Sequence, residues 1–165
     1  SDVCSSDLPC PPLLTRMTLD LANPQAGYTK RVLGPMPSEM PQIDERFVGK
    51  SYRYGYTISL APPRRVSQLG AWDHKTGELK LWNPGPDSSI QEPKFVPRGP
   101  GEGNGYLVMP VNRVAENRSD LAVLDAQNVE AGPIALFKMP MRVKASFHGI
   151  WVPEETMTTG LYRYP

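Results

Sequence analysis

His148 has the plainest chemical potential in this chain. It lies in Phe147-His148-Gly149-Ile150-Trp151-Val152-Pro153, and the only other histidine is His74. Imidazole is the commonest protein ligand for transition metals. A bulky apolar neighbour such as Phe147 can pack and fix the backbone. Gly149 has no Cβ and permits a turn beside a ligand. The two cysteines, Cys4 and Cys10, flank proline-rich sequence and have no Cys or His nearby to complete a zinc site.

Two further segments carry carboxylates in apolar, proline-marked surroundings. One is Gln91-Glu92-Pro93-Lys94-Phe95-Val96-Pro97-Arg98, and the other is Ser38-Glu39-Met40-Pro41-Gln42-Ile43-Asp44-Glu45-Arg46-Phe47. With the His148 segment, in this order and spacing, they resemble the C-terminal part of the carotenoid cleavage oxygenase family. The bacterial lignostilbene dioxygenases are the nearest flavour. Other runs agree: Leu14-Thr15-Arg16-Met17-Thr18-Leu19-Asp20-Leu21, Tyr52-Arg53-Tyr54-Gly55-Tyr56, Gly105-Tyr106-Leu107 and Asn117-Arg118-Ser119-Asp120-Leu121-Ala122-Val123-Leu124-Asp125-Ala126-Gln127. The resemblance covers residues 14–153. Met40 stands where the family more often has Phe, and Ile150 where bacterial relatives commonly have Asn.

The resemblance implies an all-β fold, the C-terminal blades of a seven-bladed β-propeller. It implies one Fe(II) held by four histidines in the full-length parent, with His148 matching the last of them. Glu92 and Glu39 match glutamates that stand behind the ligand rings. Such carboxylates accept the remaining ring N–H, fix the tautomer and raise ligand basicity. Glu92 is expected to support His148, and Glu39 a histidine outside this chain. The implied reaction is cleavage of a C=C double bond by O2, giving two carbonyl products. Its substrate would be stilbene-like, or a carotenoid or apocarotenoid. Phe147 and Trp151 suit either the wall of an apolar site or core packing. A reading of another class is a propeller-derived scaffold or binding module without iron.

The remaining candidates read as structural. His74 sits beside Lys75 at a predicted hairpin and is expected at the surface. Asp44, Glu45 and Arg46 suggest an ion pair, and the Tyr52, Tyr54, Tyr56 stripe suggests blade packing.

The elements that position these residues are short. The 19 prolines and 14 glycines make up 33 of 165 residues, above the average of roughly 12%. This punctuation excludes long helices. Strands are expected at 18–21, from Tyr52 to Ile58, at 68–73, at Glu78–Trp82 and at Lys94–Pro97. The stretch 74–77 reads as a hairpin turn and 83–89 as a polar loop. A meander follows at 105–111, 120–125 and 134–138, joined by Asn117-Arg118-Ser119 and by 127–133. One helical turn is expected within 125–130.

Basic and acidic residues number 18 and 17 and are interspersed, which gives no electrostatic footprint for nucleic acid. Apolar runs fall far short of the roughly 20 residues of a membrane span. Residues 1–8 read as the translation of a sequencing-library adapter joined to a truncated gene. Residues 1–10 are accordingly set aside as non-native. Residues 11–153 form the C-terminal part of the oxygenase propeller, and 154–165 a loosely held tail. A bacterial cytoplasmic location is expected, and nothing in the sequence sets an oligomeric state.

Overall fold

Frequent proline and glycine keep the strands short, and most of them pair with a neighbour in sequence. The computed structural model describes residues 11–61, 66–145 and 147–158. Its strands are β1 Leu13–Leu19, β2 Tyr28–Gln42, β3 Tyr54–Ala61, β4 Val66–Asp73, β5 Glu78–Trp82, β6 Ser88–Ile90, β7 Lys94–Pro97, β8 Gly105–Arg113, β9 Arg118–Asp125 and β10 Pro133–Lys138. They form two antiparallel sheets. The first runs in the order β1-β2-β3-β4-β5, and the second in the order β10-β9-β8-β6, with β7 also on β8. The reading of residues 1–10 as non-native, Cys4 and Cys10, and the tail end at 159–165 all fall outside the described residues.

The sheets meet through one apolar core. Leu107, Met109 and Val111 alternate along β8 and are fully buried, as are Leu124 on β9 and Leu69 on β4. Burying each such side chain stabilises by roughly 1.5–3 kcal/mol. From the first sheet, Tyr56 stacks on Phe95 of β7, with ring centroids 5.9 Å apart. The opposite side of β3 is a polar seam. The Trp72 indole donates to Thr57 at 3.0 Å, and the Thr57 and Ser59 hydroxyls share a bond of 3.1 Å. The Trp72 ring lies so close over β2 that a Cβ on Gly34 would come within 2.2 Å of it.

The predicted strands at 68–73, Glu78–Trp82, Lys94–Pro97 and 134–138 lie within or coincide with observed ones. Differences have local causes. The strand expected at 18–21 is β1, which ends at Leu19, because the Asp20 carboxylate accepts from the Ala22 N–H and turns the chain. Strand β2 went unpredicted because Gly34, Pro35, Pro37 and Pro41 punctuate it. It tolerates them by pairing with β1 mainly through 28–32 and with β3 through 38–42. The loop expected at 83–89 gives way to β6 at Ser88. The turn expected at Asn117-Arg118-Ser119 comes earlier, because Asn117 takes the left-handed conformation, with φ 49°, and β9 starts at Arg118. The helical turn expected within 125–130 is a 3-10 turn at Val129–Ala131, anchored by fully buried Val129. The tail begins with a short helix, α1, at Glu154–Thr158. No described helix is long and apolar enough to cross a membrane.

Candidate metal centre

Glu92 owes its position to two prolines. Strands β6 and β7 lie end to end along β8, pairing Ile90 with Val111 and Lys94 with Val108. Between these pairs Gln91, Glu92 and Pro93 face only Met109 and Pro110. The extra residue makes a bulge, which frees a side chain from the regular alternation. Neither Pro93 nor Pro110 has an N–H to give the ladder. The Gln91 N–H still reaches the Pro110 carbonyl at 2.9 Å and keeps the bulge on the sheet.

The Glu92 carboxylate, 4% exposed, collects four donors. Its Oε1 accepts from Gln42 Nε2 at 2.6 Å and faces His148 Nδ1 at 3.1 Å. Its Oε2 accepts from the Gly149 N–H at 2.8 Å and lies 3.2 Å from Lys94 Nζ. Burial by itself pushes the carboxyl group up. The Gly149 N–H, the His148 ring and the Lys94 ammonium outweigh burial and hold it below the ordinary carboxylate range. An ionised carboxylate only accepts, so Nδ1 of His148 carries the ring proton. In the neutral ring Nε2 then keeps a free lone pair. The ring is 78% exposed, which leaves that nitrogen available to a ligand.

The segment bearing His148 crosses the end of the second sheet as a strap. After β10 the Met139 N–H bonds the Ser119 carbonyl at 2.9 Å, and the Val143 N–H bonds the Ser119 hydroxyl at 3.0 Å. Gln91 then donates to the Lys144 carbonyl at 3.3 Å, before Gly149 reaches Glu92. Gly149 was expected to supply a turn, yet its φ is not left-handed and a Cβ there would meet only Lys94 Cγ at 4.0 Å. Its contribution is the N–H it gives to Glu92.

Glu39 lies on β2 opposite Ile58, and Gln42 opposite Tyr56. Three steps on β2 thus match two on β3, a bulge centred on Met40, whose φ is 49°. Opposed residues of an antiparallel pair share a face, so the bulge brings Glu39 and Gln42 to the same side. Gln42 reaches Glu92, whereas Glu39 is exposed and its carboxylate has no hydrogen bond among the described residues. Phe147, Ile150 and Trp151 are also exposed, at 76%, 63% and 47%. Beneath the strap, Glu92, Lys94, Val108, Gly149, Ile150 and Trp151 line a cavity of about 140 Å³.

Other candidates take structural places. Asp44 is buried, caps the turn Glu45–Phe47 and pairs with Arg46 at 2.7 Å. Tyr56 is core, while Tyr54 is half-buried against it. His74 departs from the surface position expected. Its ring is half-buried edge-on to Tyr52, 5.4 Å between centroids, in space left by Gly55, where a Cβ would stand 2.6 Å from Nε2. Burial, and then the charge of Arg16, push its pKa down. Gln42 and Lys94 were not singled out from sequence, although both lie inside the quoted motifs. A polar residue two or three places from a motif carboxylate was the available signal.

The described residues contain no group of three or more His, Cys, Asp or Glu able to hold a metal together. His148 with Glu92 behind it fits one ligand of a metal site shared with other residues. Comparison with known proteins agrees with this incompleteness. The chain is 40% identical to isoeugenol monooxygenase of Pseudomonas nitroreducens over 86% of its own length and 32% of that protein. It superposes on the crystal structure of Pseudomonas brassicacearum lignostilbene dioxygenase with a TM-score of 0.80 at 34% identity, covering 86% of this chain and 32% of that one. It also superposes on cobalt-substituted Synechocystis apocarotenoid oxygenase with a TM-score of 0.78 at 30% identity, covering 86% and 30%. The chain therefore spans about a third of the length of these relatives, and its two sheets are blades of their β-propeller. The family described as retinal pigment epithelial membrane protein, RPE65, matches residues 3–153, and the chain belongs to this family of carotenoid cleavage oxygenases.

Proposed function

We propose that this chain is the C-terminal part of a non-haem Fe(II) dioxygenase. The full-length parent cleaves the C=C double bond of a stilbene-like substrate, with a carotenoid or apocarotenoid as the alternative. Both atoms of O2 enter the products, one on each former alkene carbon, so two carbonyl compounds result. His148 is one of four histidines that hold the iron, and the other three lie outside this chain. The observation that carries the reading is the 3.1 Å contact of Glu92 with His148 Nδ1, which leaves Nε2 as the nitrogen that faces away from the carboxylate.

When bound by His148 and histidines outside this chain, iron would supply the activation of O2. This chain's residues prepare the metal site. Glu92 fixes the His148 tautomer, and the strap fixes where the ring stands. Phe147, Ile150 and Trp151 offer apolar surface beside it, which suits an aromatic or polyene substrate. Glu39 supports a second ligand histidine, one from outside the chain. The stilbene reading takes precedence because relatives named for lignostilbene and isoeugenol match at 34% and 40% identity, against 30% for the apocarotenoid oxygenase.

The test is turnover by the full-length parent with a hydroxystilbene as probe. Two aryl aldehydes should form per O2 consumed, and His148→Ala should abolish both turnover and iron retention. An intact double bond in the product, or full iron retention by His148→Ala, would overturn the reading.

A further inference from the structure

We infer that Gln42 and Lys94 are positioning residues for the His148 ligand, acting together through Glu92. The inference rests on the proposed role of His148. Its physical basis is a saturated carboxylate. An ionised carboxylate has about four lone-pair sites. In Glu92 each oxygen receives two donors: Gln42 and His148 on Oε1, Gly149 and Lys94 on Oε2. No site is spare, so the carboxylate cannot rotate without breaking bonds, and His148 Nδ1 has one fixed place to donate.

Lys94 also decides which way Gln42 points. Its ammonium lies 3.0 Å from Gln42 Oε1 and can only donate. The amide oxygen must therefore face Lys94, which turns the amide NH2 toward Glu92 Oε1. Without the ammonium, the amide could flip and set its oxygen against the carboxylate. Lys94, Gln42 and Glu92 thus close a ring of three contacts, at 3.0, 2.6 and 3.2 Å. The ring is partly shielded, with the Lys94 side chain 17% exposed and that of Glu92 4% exposed.

The ring also joins the two sheets. Gln42 ends β2 of the first sheet, three residues beyond Glu39. Lys94 begins β7 of the second, two residues beyond Glu92. Among the described residues, the hydrogen bonds of the strap run to the second sheet, one of its turns and its bulge, at Ser119, Asn117, Gln91 and Glu92. Gln42 therefore locks the His148 strap to the strand that carries Glu39. One consequence is that the two histidines backed by these glutamates are held at a fixed separation.

Cobalt(II) is the probe, loaded into the full-length parent. Its rate of loss to a chelator and its visible absorption spectrum are measured beside a thermal melt. Glu92→Gln should speed cobalt loss by about 10–100-fold. Lys94→Met and Gln42→Leu should each speed it by on the order of threefold to tenfold, with altered visible bands and little change in the melt. The double variant should lose cobalt no faster than the quicker single one, because both act through one carboxylate. Lys94→Arg, which keeps charge and donors, should stay within about twofold of the native rate. Native rates and spectra for both Lys94→Met and Gln42→Leu, or additive effects in the double variant, would overturn the inference. In that case faster loss from Glu92→Gln would show that the His148 reading itself stands. Native retention in both Glu92→Gln and His148→Ala would instead bring down that reading. Should Gln42→Leu fail to fold, Lys94→Met against Lys94→Arg decides alone: native loss from Lys94→Met overturns the inference, and faster loss restored by Lys94→Arg supports it.

Discussion

Glu92 Oε1 and His148 Nδ1 lie 3.1 Å apart although 56 positions separate the two residues in the chain. The contact joins a bulge in the second sheet to a strap that returns across it. It places a buried acceptor behind an exposed ring, so one imidazole nitrogen is occupied and the other is offered outward.

The strap should loosen in acid. The folded Glu92 carboxyl titrates below its ordinary value of 4.5, because its donors together outweigh the effect of burial. A lowered folded value stabilises the protein fully above the unfolded value, and that stabilisation is lost as pH falls through the folded one. The Glu92 side-chain carboxyl carbon shift should therefore show its titration only below about pH 4.5. A transition centred above that value would contradict the ionised carboxylate on which the tautomer argument depends.

Glu92→Gln should also cost stability without metal. The variant presents an NH2 group to donors that need an acceptor, and leaves a buried group unsatisfied. A loss of about 1–3 kcal/mol is expected. Hydrogen exchange at Gly149 reads the local part, and denaturant unfolding of the full-length parent reads the whole. Exchange as slow as in the native protein would show that the carboxylate does not hold the strap.

The Glu92–His148 contact of the candidate site was legible because it is built from short motifs. Glu92, Glu39 and His148 each stand in an apolar, proline-marked run that the family resemblance picks out. The meander from β8 to β10 was legible because turn residues bracket alternating apolar ones. What escaped is set by three-dimensional packing. Long β2 was hidden behind Pro35, Pro37 and Pro41, which are tolerated only because different parts of the strand pair with different neighbours. His74 looked like a turn residue, and its burial depends on the space above Gly55, nineteen residues away. Gln42 and Lys94 gained a role only when two sheets brought them to one carboxylate.

Gly105→Ala should destabilise the second sheet. A Cβ there would stand 2.4 Å from the Val96 carbonyl oxygen and 2.5 Å from the Phe95 ring. Both are held, the first by the β7–β8 ladder and the second by stacking on Tyr56. Overpacking of this kind costs typically 1–3 kcal/mol. A melt of Gly105→Ala indistinguishable from native would show that β7 is less firmly seated than its packing implies.

The 165-residue chain on its own should self-associate and bind iron weakly. Leu19, Leu21, Tyr28, Ile134 and Phe137 leave apolar side chains at 58–89% exposure on strands and turns at the rims of the sheets. Unpaired strand edges and apolar faces recruit further copies. One imidazole holds Fe(II) poorly against water and chelators. Light scattering and an iron titration are the checks. A monodisperse monomer with a sharp two-state melt, or stoichiometric tight iron, would count against the incomplete site.

The most direct measurement is an anomalous difference map at the iron edge, from crystals of the iron-loaded full-length parent. The account predicts a metal peak on Nε2 of His148, with Nδ1 still bonded to Glu92 at about 3 Å. A peak bonded to Nδ1, or one that His148 does not touch, would contradict it.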